Sequence, residues 1–246
     1  MENLSELLRD FGGAGWTPGR ADEAFDEIAR RSLRLESFYE EYALIARDYL
    51  DRPGPIPLPK ILEVIGQSVH DHLFTGILTT AGRYRREADP GGGFVSFGGP
   101  KGQTTQPLFR GAPARDLPAA VPEAYARLLD IRDEAWAAGG AVREAARLRA
   151  TDAGVLFYKD ISGVHPFYDA NGRVGRYVVS VYLLLHGRAV RWRDLDRQER
   201  TFLKKINECL KRRGHAVPSV VATYEERLAR FWRHFVEDVP GEVTRG

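Results

Sequence analysis

Apolar residues along this chain recur at the spacing of buried helix faces, and they are most concentrated from Tyr177 to Leu185. Because nearly every position of that run is apolar, it predicts a helix buried on most sides, with Gly187 as its stop. Elsewhere, helical spacing predicts helices at residues 20–50, 60–80, 117–138, 141–161, 195–213 and 219–236. The pattern therefore predicts a mainly helical protein.

One stretch between these helices has the alternation of a strand instead. It consists of Phe94, Val95, Ser96 and Phe97, and glycines flank it on both sides. Alternating residues between turn-forming neighbours predict a short exposed strand. A flexible surface loop is the alternative, because the segment is rich in glycine.

A proline-rich stretch at residues 51–59 interrupts the helical pattern. Proline has no backbone N–H and cannot continue a helix, so the stretch marks a boundary. We therefore predict an N-terminal helical segment (1–55), a core domain (56–236) and a C-terminal tail (237–246).

Composition narrows the class of protein. The hydrophobic content of 43% is enough for a packed core, and 36 basic against 34 acidic residues imply no strong attraction to nucleic acid. No apolar run reaches the roughly 20 residues that cross a bilayer. The single cysteine, Cys209, and the lack of a secretion signal at the start predict a cytoplasmic protein. A specialised secretion route for a bacterial effector would leave no readable trace.

The residues around the start of the apolar run form a candidate anion site. Arg173 and Arg176 lie three positions apart in the first turn of the predicted helix and so share a face. A helix N-terminus already carries unpaired N–H groups and a positive dipole, so two arginines there are unfavourable unless an anion lies between them. Ala170, Asn171 and Gly172 are small or turn-permissive, which lets backbone amides converge on such an anion.

Two more residues add chemistry to this site. His165 is a base that titrates near neutral pH, and Asp169 is a hard oxygen ligand suited to Mg²⁺ beside a polyphosphate. A base, a metal ligand, an amide nest and an arginine clamp within residues 165–176 indicate a phosphoryl-type transfer site. The alternative is a helix-capping loop in which His165 is a loop histidine and Asp169 caps a turn.

Residues 165–176, HPFYDANGRVGR, resemble the motif HPFx[D/E]GNGRxxR of the Fic (Fic/Doc) family. Every specified position matches except one, where Ala170 stands for the family's first glycine. The turn Ala81-Gly82-Arg83-Tyr84-Arg85 before the candidate strand is similar to the family's AG-x-R turn, and the order of elements agrees over residues 56–236. The resemblance implies an all-α, Fic-type helical bundle with a short β-hairpin, the flap. In the family the flap aligns the target segment by strand addition, which gives residues 94–97 a target-binding role.

The resemblance also implies a reaction and its cofactors. The chain would be a protein adenylyltransferase that transfers AMP from ATP to a Tyr, Thr or Ser hydroxyl of a target protein and releases pyrophosphate. His165 would be the general base, and Asp169 would hold Mg²⁺ against the α- and β-phosphates. The nucleotide-binding set would be Phe167, Ala170, Asn171, Gly172, Arg173 and Arg176. Within that set Phe167 would anchor the loop in the core.

Each polar member of this set has an implied role. Asn171 would orient the α-phosphate within a nest that includes Gly172 and the amide of Ala170. Arg173 would stabilise the leaving phosphates, and Arg176 would hold the γ-phosphate.

A second resemblance lies in the N-terminal segment. Ser32 and Glu36 match the pattern [S/T]xxxE[G/N] of the family's inhibitory helix, with Ser37 in place of the expected Gly or Asn. In the family the glutamate reaches the last arginine of the motif, here Arg176, and blocks productive nucleotide binding. A carboxylate there would neutralise Arg176 where a γ-phosphate should bind. The alternative is that Glu36 is solvated on an exposed helix face.

Several alternatives stay open at this point. Gly172 stands where Doc-type members carry lysine, which disfavours their kinase-like reaction. Alanine at position 170 also occurs in members that transfer other groups, so another nucleotide monophosphate or phosphocholine is an alternative to AMP. A catalytically silent Fic-like binding module and a helical nucleic-acid-binding protein are further alternatives. We expect a target protein as partner, with self-modification and a homodimer left open, and neither nucleic acid nor membrane.

Overall fold

The computed structural model describes residues 4–51, 56–97, 109–137, 140–212 and 217–239, without the side chains at positions 36, 49 and 97. These residues form eleven α-helices: α1 Leu4–Phe11, α2 Ala21–Glu36, α3 Tyr39–Leu50, α4 Leu58–Phe74, α5 Leu117–Tyr125, α6 Arg132–Ala135, α7 Gly140–Val164, α8 Asn171–Leu185, α9 Trp192–Arg197, α10 Glu199–Arg212 and α11 Pro218–Arg233. Two short antiparallel pairs accompany them: β1 Ser96–Phe97 with β2 Phe109–Arg110, and β3 Arg188–Val190 with β4 Val236–Asp238. The predicted helical class with one short hairpin is confirmed. None of the described helices has the length and apolarity to cross a membrane.

The chain divides into two compact units, each built from three segments. The first consists of Met1–Tyr39, Leu62–Ala124 and Ile161–Val178, and the second of Glu40–Ile61, Tyr125–Asp160 and Val179–Gly246. The boundaries predicted from the proline-rich stretch stay a prediction.

In the first unit, α1 is held against the segment that follows α4. Its apolar residues Leu4, Leu8 and Phe11 fall at i, i+4 and i+7 and are all buried. Beyond the helix, the carbonyl of Phe11 accepts a hydrogen bond of 2.8 Å from the backbone N–H of Thr79. The Phe11 ring lies 4.4 Å from the ring of Tyr168, so α1 packs directly on the candidate motif.

In the second unit, residues 179–185 of the apolar run form the end of α8. Gly154 of α7 lies so close to α8 that an added Cβ would be 3.5 Å from Val179 and 3.7 Å from Leu183. Gly187 ends the helical segment with a φ of 71°, a left-handed conformation that glycine adopts without strain, as the sequence predicts.

Five predicted helices differ in the structure. The helix predicted at residues 60–80 ends at Phe74, because Gly76 adopts a left-handed φ of 76°. The helix predicted at 195–213 is divided into α9 and α10. The helix predicted at residues 20–50 is broken between α2 and α3, because the Ser37 hydroxyl donates to the carbonyl of Arg34 and competes with the helix. The helix predicted at 117–138 is split into α5 and α6, and Asp130 accepts from the N–H of Arg132 where the second begins. The last predicted helix ends early, at Arg233, and β4 follows it.

Candidate active site

The predicted motif residues line one pocket of about 460 Å³ at the start of α8. Seven lining residues come from the loop and the first helical turn: His165, Tyr168, Asp169, Ala170, Asn171, Gly172 and Arg173. The opposite wall is formed by Phe25 and Ala29 of α2. The structure therefore brings the candidate base, metal ligand, amide nest and first arginine together. Arg176 lies one turn further along α8 and is half-buried.

The loop keeps its shape because the Asn171 side chain closes it into a ring. The Asn171 side-chain oxygen accepts a hydrogen bond of 2.9 Å from the backbone N–H of Phe167, and its side-chain nitrogen donates one of 2.9 Å to the Phe167 carbonyl. The buried Phe167 ring stacks on the imidazole of His70 with 4.0 Å between ring centroids. Phe167 is thus an anchor beneath the loop, and Asn171 holds the backbone as well as lining the pocket.

Ala170 adopts a left-handed backbone conformation with φ 58°. Glycine populates this region freely, whereas alanine is strained there. The alanine that replaces the family's first glycine therefore stands at a position where a side chain carries a conformational cost. Its N–H donates to the Asp169 carboxylate, which caps the turn from within the site.

His165 also has a left-handed backbone, with φ 53°. Burial lowers the pKa of its imidazole to about 4; a hydrogen bond to the backbone of Ser162 opposes this shift and the charge of Arg85 adds to it. The imidazole is consequently neutral near pH 7 and can accept a proton there.

Arg173 connects the motif to α2. Its Nη1 donates a hydrogen bond of 3.0 Å to the Ser32 hydroxyl, and its Nη2 lies 3.8 Å from a carboxylate oxygen of Asp169. Burial lowers the pKa of the Arg173 guanidinium, which nevertheless stays charged at neutral pH. The structure therefore places Ser32 at the site. The side chain of Glu36 lies outside the described part of the chain, so its pairing with Arg176 stays a prediction.

Phe25 and Ala29 are pocket residues that the sequence analysis missed. Positions 25, 29, 32 and 36 follow one another at spacings of four, three and four, which places them on one face of α2. Phe25 is 48% exposed, so its ring is open to the pocket and to solvent. Extending the Ser32 and Glu36 spacing backwards along the helix would have identified both residues.

The hairpin of β1 and β2 starts beside His165. Ser96 pairs with Arg110 and position 97 with Phe109, and the Val95 carbonyl accepts from the N–H of Gly111 at 3.2 Å. A Cβ added to Gly111 would lie 3.2 Å from the Cβ of His165. The strand predicted at residues 94–97 is confirmed at its last two positions, while Phe94 is exposed and precedes the hairpin.

A buried carboxylate links the motif to the segment before this hairpin. Asp89 accepts a hydrogen bond of 3.0 Å from the Tyr168 hydroxyl and two from Arg83, at 2.8 and 2.9 Å. Burial of Asp89 opposes its ionisation, but these bonds and the N–H of Arg86 outweigh burial and lower the pKa of the carboxyl. Tyr168 is thereby fixed at the rim of the pocket.

The residues at the site fit Mg²⁺ only together with a polyphosphate. Among the described residues, no cluster of three or more His, Cys, Asp or Glu side chains could hold a metal by itself. Asp169 lines the pocket and is partly exposed. One carboxylate together with substrate phosphates is a usual Mg²⁺ environment, so the donor set agrees with a metal that arrives with a nucleotide.

This chain resembles a known protein family in sequence and solved structures in fold. The model of the Fic/DOC family matches residues 63–183, which include most of α4, the hairpin, the motif and most of α8. This part of the chain belongs to the Fic/DOC family. Fic-domain proteins are generally transferases. No curated protein matches this chain.

Solved structures show the same fold at low sequence identity. The N-terminal Fic domain of a putative cell filamentation protein from Bartonella quintana, with bound ADP, is 13% identical with a TM-score of 0.55, over 95% of this chain and 93% of that one. BepC from Bartonella tribocorum, with bound AMPPNP, is 12% identical with a TM-score of 0.52, over 89% of both chains. A Fic-domain signalling protein from Bacteroides thetaiotaomicron is 15% identical with a TM-score of 0.51, over 94% of this chain and 76% of that one. At these identities the likeness concerns the fold.

Proposed function

We propose that this chain is a protein adenylyltransferase that transfers AMP from ATP to a Tyr, Thr or Ser hydroxyl of a target protein. The observation that carries the proposal is one pocket of a Fic/DOC domain that combines a neutral histidine, a carboxylate, a helix N-terminus and an arginine. Support for an adenine nucleotide comes from the two Bartonella structures, which contain ADP and AMPPNP.

The positions of these groups support the following reaction. The imidazole of His165 accepts the proton of the acceptor hydroxyl, whose oxygen forms a bond to the α-phosphorus. The bond from the α-phosphorus to the bridging oxygen breaks, and its electron pair leaves with pyrophosphate. Backbone N–H groups at the start of α8 and the guanidinium of Arg173 stabilise the charge that develops on the phosphates. Mg²⁺, held by Asp169, would neutralise charge on the α- and β-phosphates.

The proposal includes inhibition by α2. Along this helix, Phe25 and Ala29 line the motif pocket, and Ser32 binds Arg173. Successive turns of α2 therefore contact first the pocket at the motif loop and then α8. Position 36 is one turn beyond Ser32, and Arg176 is one turn beyond Arg173. This order supports a pairing of Glu36 with Arg176 that competes with the γ-phosphate.

Intact-mass spectrometry of the full chain after incubation with ATP and Mg²⁺ tests both parts. We expect wild type to gain one adenylyl group slowly, Glu36→Gln to gain it faster, and His165→Asn to gain none. Asparagine suits the left-handed backbone at position 165, so that variant removes the base and keeps the loop. Glu23→Gln is the matched control for Glu36, because Glu23 lies on the same helix and pairs with Arg20.

Two outcomes would contradict the proposal. Unchanged modification in His165→Asn would exclude His165 as the base, and equal rates for Glu36→Gln and Glu23→Gln would exclude inhibition by Glu36. Ala170 favours a test of other donors in the same assay, because it carries a methyl group where the family's motif has glycine. A mass gain with CDP-choline or another nucleotide, and none with ATP, would replace AMP as the transferred group.

A further inference from the structure

Arg85 is a buried arginine that, within the described part of the chain, donates its side-chain hydrogen bonds to backbone carbonyls. Its side chain is almost completely buried, and its residue is 2% exposed. Nε donates to the His165 carbonyl at 2.9 Å, Nη1 donates to the Gly93 carbonyl, and Nη2 donates to the carbonyls of Ala112 at 2.9 Å and Val164 at 3.3 Å. One planar guanidinium therefore binds three separate segments of the chain.

Those three segments are the two ends of the hairpin and the junction between α7 and the motif loop. Gly93 precedes β1, Ala112 follows β2, and Val164 and His165 join α7 to the motif loop. Two backbone bonds reinforce the arrangement: Arg85 N–H donates to the Pro166 carbonyl at 3.0 Å, and Ala112 N–H donates to the Val164 carbonyl at 3.0 Å. The hairpin base and the backbone of His165 are thus fixed to each other through Arg85.

The buried charge of Arg85 indicates that this side chain fixes the positions of backbone carbonyls. Burial lowers the pKa of Arg85 to about 10, so the guanidinium is still charged at neutral pH. A buried charge is costly, and the nearby carboxylate of Asp89 receives its arginine bonds from Arg83. An apolar residue of similar volume would avoid that cost but could not bind four carbonyls in fixed directions.

The backbone of His165 needs such a support. Its φ of 53° is rarely adopted by residues other than glycine, and strained residues persist where surrounding contacts determine their conformation. Arg85 binds the carbonyl of His165 and, through its own N–H, the carbonyl of the next residue. Arg85 therefore binds the backbone from which the His165 imidazole projects.

We propose that Arg85 is a positioning residue that aligns the hairpin with the His165 backbone, so that an acceptor hydroxyl on the hairpin side meets the imidazole. The proposal rests on the proposed transfer reaction. Arg85 then affects the rate of the chemical step, whereas the residues at the start of α8 bind the nucleotide. Misplacement of a reacting group by about 1 Å lowers rates by about 100-fold, which sets the expected effect.

The kinetic test compares Arg85→Met, Arg85→Lys and the control Arg147→Met with wild type. Arg147 is also a buried arginine that donates to a backbone carbonyl, that of Ala135, but it lies in the second compact unit and pairs with Asp238. We expect Arg85→Met to lower kcat about 100-fold with KM for ATP changed less than about threefold. Arg85→Lys should recover part of kcat, and Arg147→Met should keep kcat per folded molecule. Unchanged kcat in both Arg85 variants, or an equal loss in Arg147→Met, would overturn the proposal.

A second measurement does not depend on catalysis. Hydrogen exchange followed by mass spectrometry should show faster exchange at residues 93–97, 109–112 and 161–167 in the Arg85 variants, and no such change there in Arg147→Met. If wild type transfers no group, the transfer function fails, and exchange alone decides whether Arg85 holds these segments. Unchanged exchange, or exchange that rises evenly over the chain, would overturn the positioning role. If Arg85→Met does not fold, Arg85→Lys is measured in its place.

Discussion

The hydroxyl oxygen of Ser32 lies 3.0 Å from Nη1 of Arg173 and accepts its hydrogen bond, although 141 positions separate the two residues. The same hydroxyl donates to the carbonyl of Ile28 at 2.8 Å. Because a hydroxyl has one hydrogen, the second bond leaves only lone pairs for the guanidinium. A neutral side chain thus attaches α2 to the first arginine of the motif.

Replacing this hydroxyl should weaken the hold of α2 on the motif. Hydrogen bonds to charged groups contribute about 1.5 kcal/mol or more, so Ser32→Ala should raise basal self-modification by about tenfold if α2 is inhibitory. The measurement is the initial rate of mass gain with ATP and Mg²⁺. Thr223→Ala is the matched control, because the Thr223 hydroxyl donates to the carbonyl four residues earlier on an exposed helix. A rate for Ser32→Ala that stays equal to that of the control would contradict the prediction.

The transfer reaction should keep its rate well into the acid range. The folded pKa of His165 is about 4, below the ordinary value of 6.5, because burial disfavours the imidazolium. The base is therefore neutral above its folded pKa and becomes protonated as pH falls through it. We expect the acid limb of the kcat/KM profile to have its midpoint near this pKa, with circular dichroism used to confirm that the protein is folded at each pH. A midpoint near 6.5 would show that His165 is solvated or that another group is the base.

Stability should fall as the pH is lowered from about 7 to about 5. Burial lowers the pKa of His70 to about 3 and that of His186 to about 4, whereas both titrate near 6.5 in the unfolded chain. The unfolded state then binds more protons, so acid favours unfolding, by at most about 2 kcal/mol per histidine at about pH 5. Urea unfolding at both pH values measures the difference. His186→Gln should reduce it, and an unchanged difference in that variant would remove His186 as a contributor.

Ala170→Gly should stabilise the protein. The left-handed conformation costs alanine about 1 kcal/mol, and glycine avoids this cost but gains entropy in the unfolded chain. We expect a net gain of about 0.5 kcal/mol, seen as a higher Tm. Ala150→Gly is the contrasting control, because Ala150 is buried within α7 and glycine there should destabilise by about 1 kcal/mol. Equal losses in the two variants would show that residue 170 is not strained.

The sequence predicted those parts of the site whose residues are neighbours along the chain. His165, Asp169 and Arg173 come together because a tight loop enters a helix, and both elements have local signals. Ser32 was found because its spacing to Glu36 resembles the pattern of the family's inhibitory helix. The break at Ser37 was missed, since it depends on a side-chain hydrogen bond that interrupts an otherwise continuous helical pattern.

Other features have no signal of comparable strength. The contacts of Arg85 are to backbone carbonyls, and a carbonyl is the same for every residue type, so no pattern of side chains indicates them. The pair β3 and β4 was missed because each strand has three residues, too few for an alternation to be recognised. Phe25 joins the pocket through the packing of α2 on the motif, and the Ser32 and Glu36 spacing indicates it only when extended back along the helix.

The helix α2 supplies both a wall of the pocket and the bond to Arg173. Deleting α2 therefore has a different effect from breaking its bond to Arg173. A truncated chain that begins after this helix would lose Phe25 and Ala29 together with Ser32 and Glu36, the residues proposed to inhibit. A higher activity in such a fragment would therefore describe a differently shaped pocket, and substrate preference measured on it would not transfer to the full chain. Point substitutions on the helix face, which leave the wall in place, are the appropriate way to separate regulation from recognition.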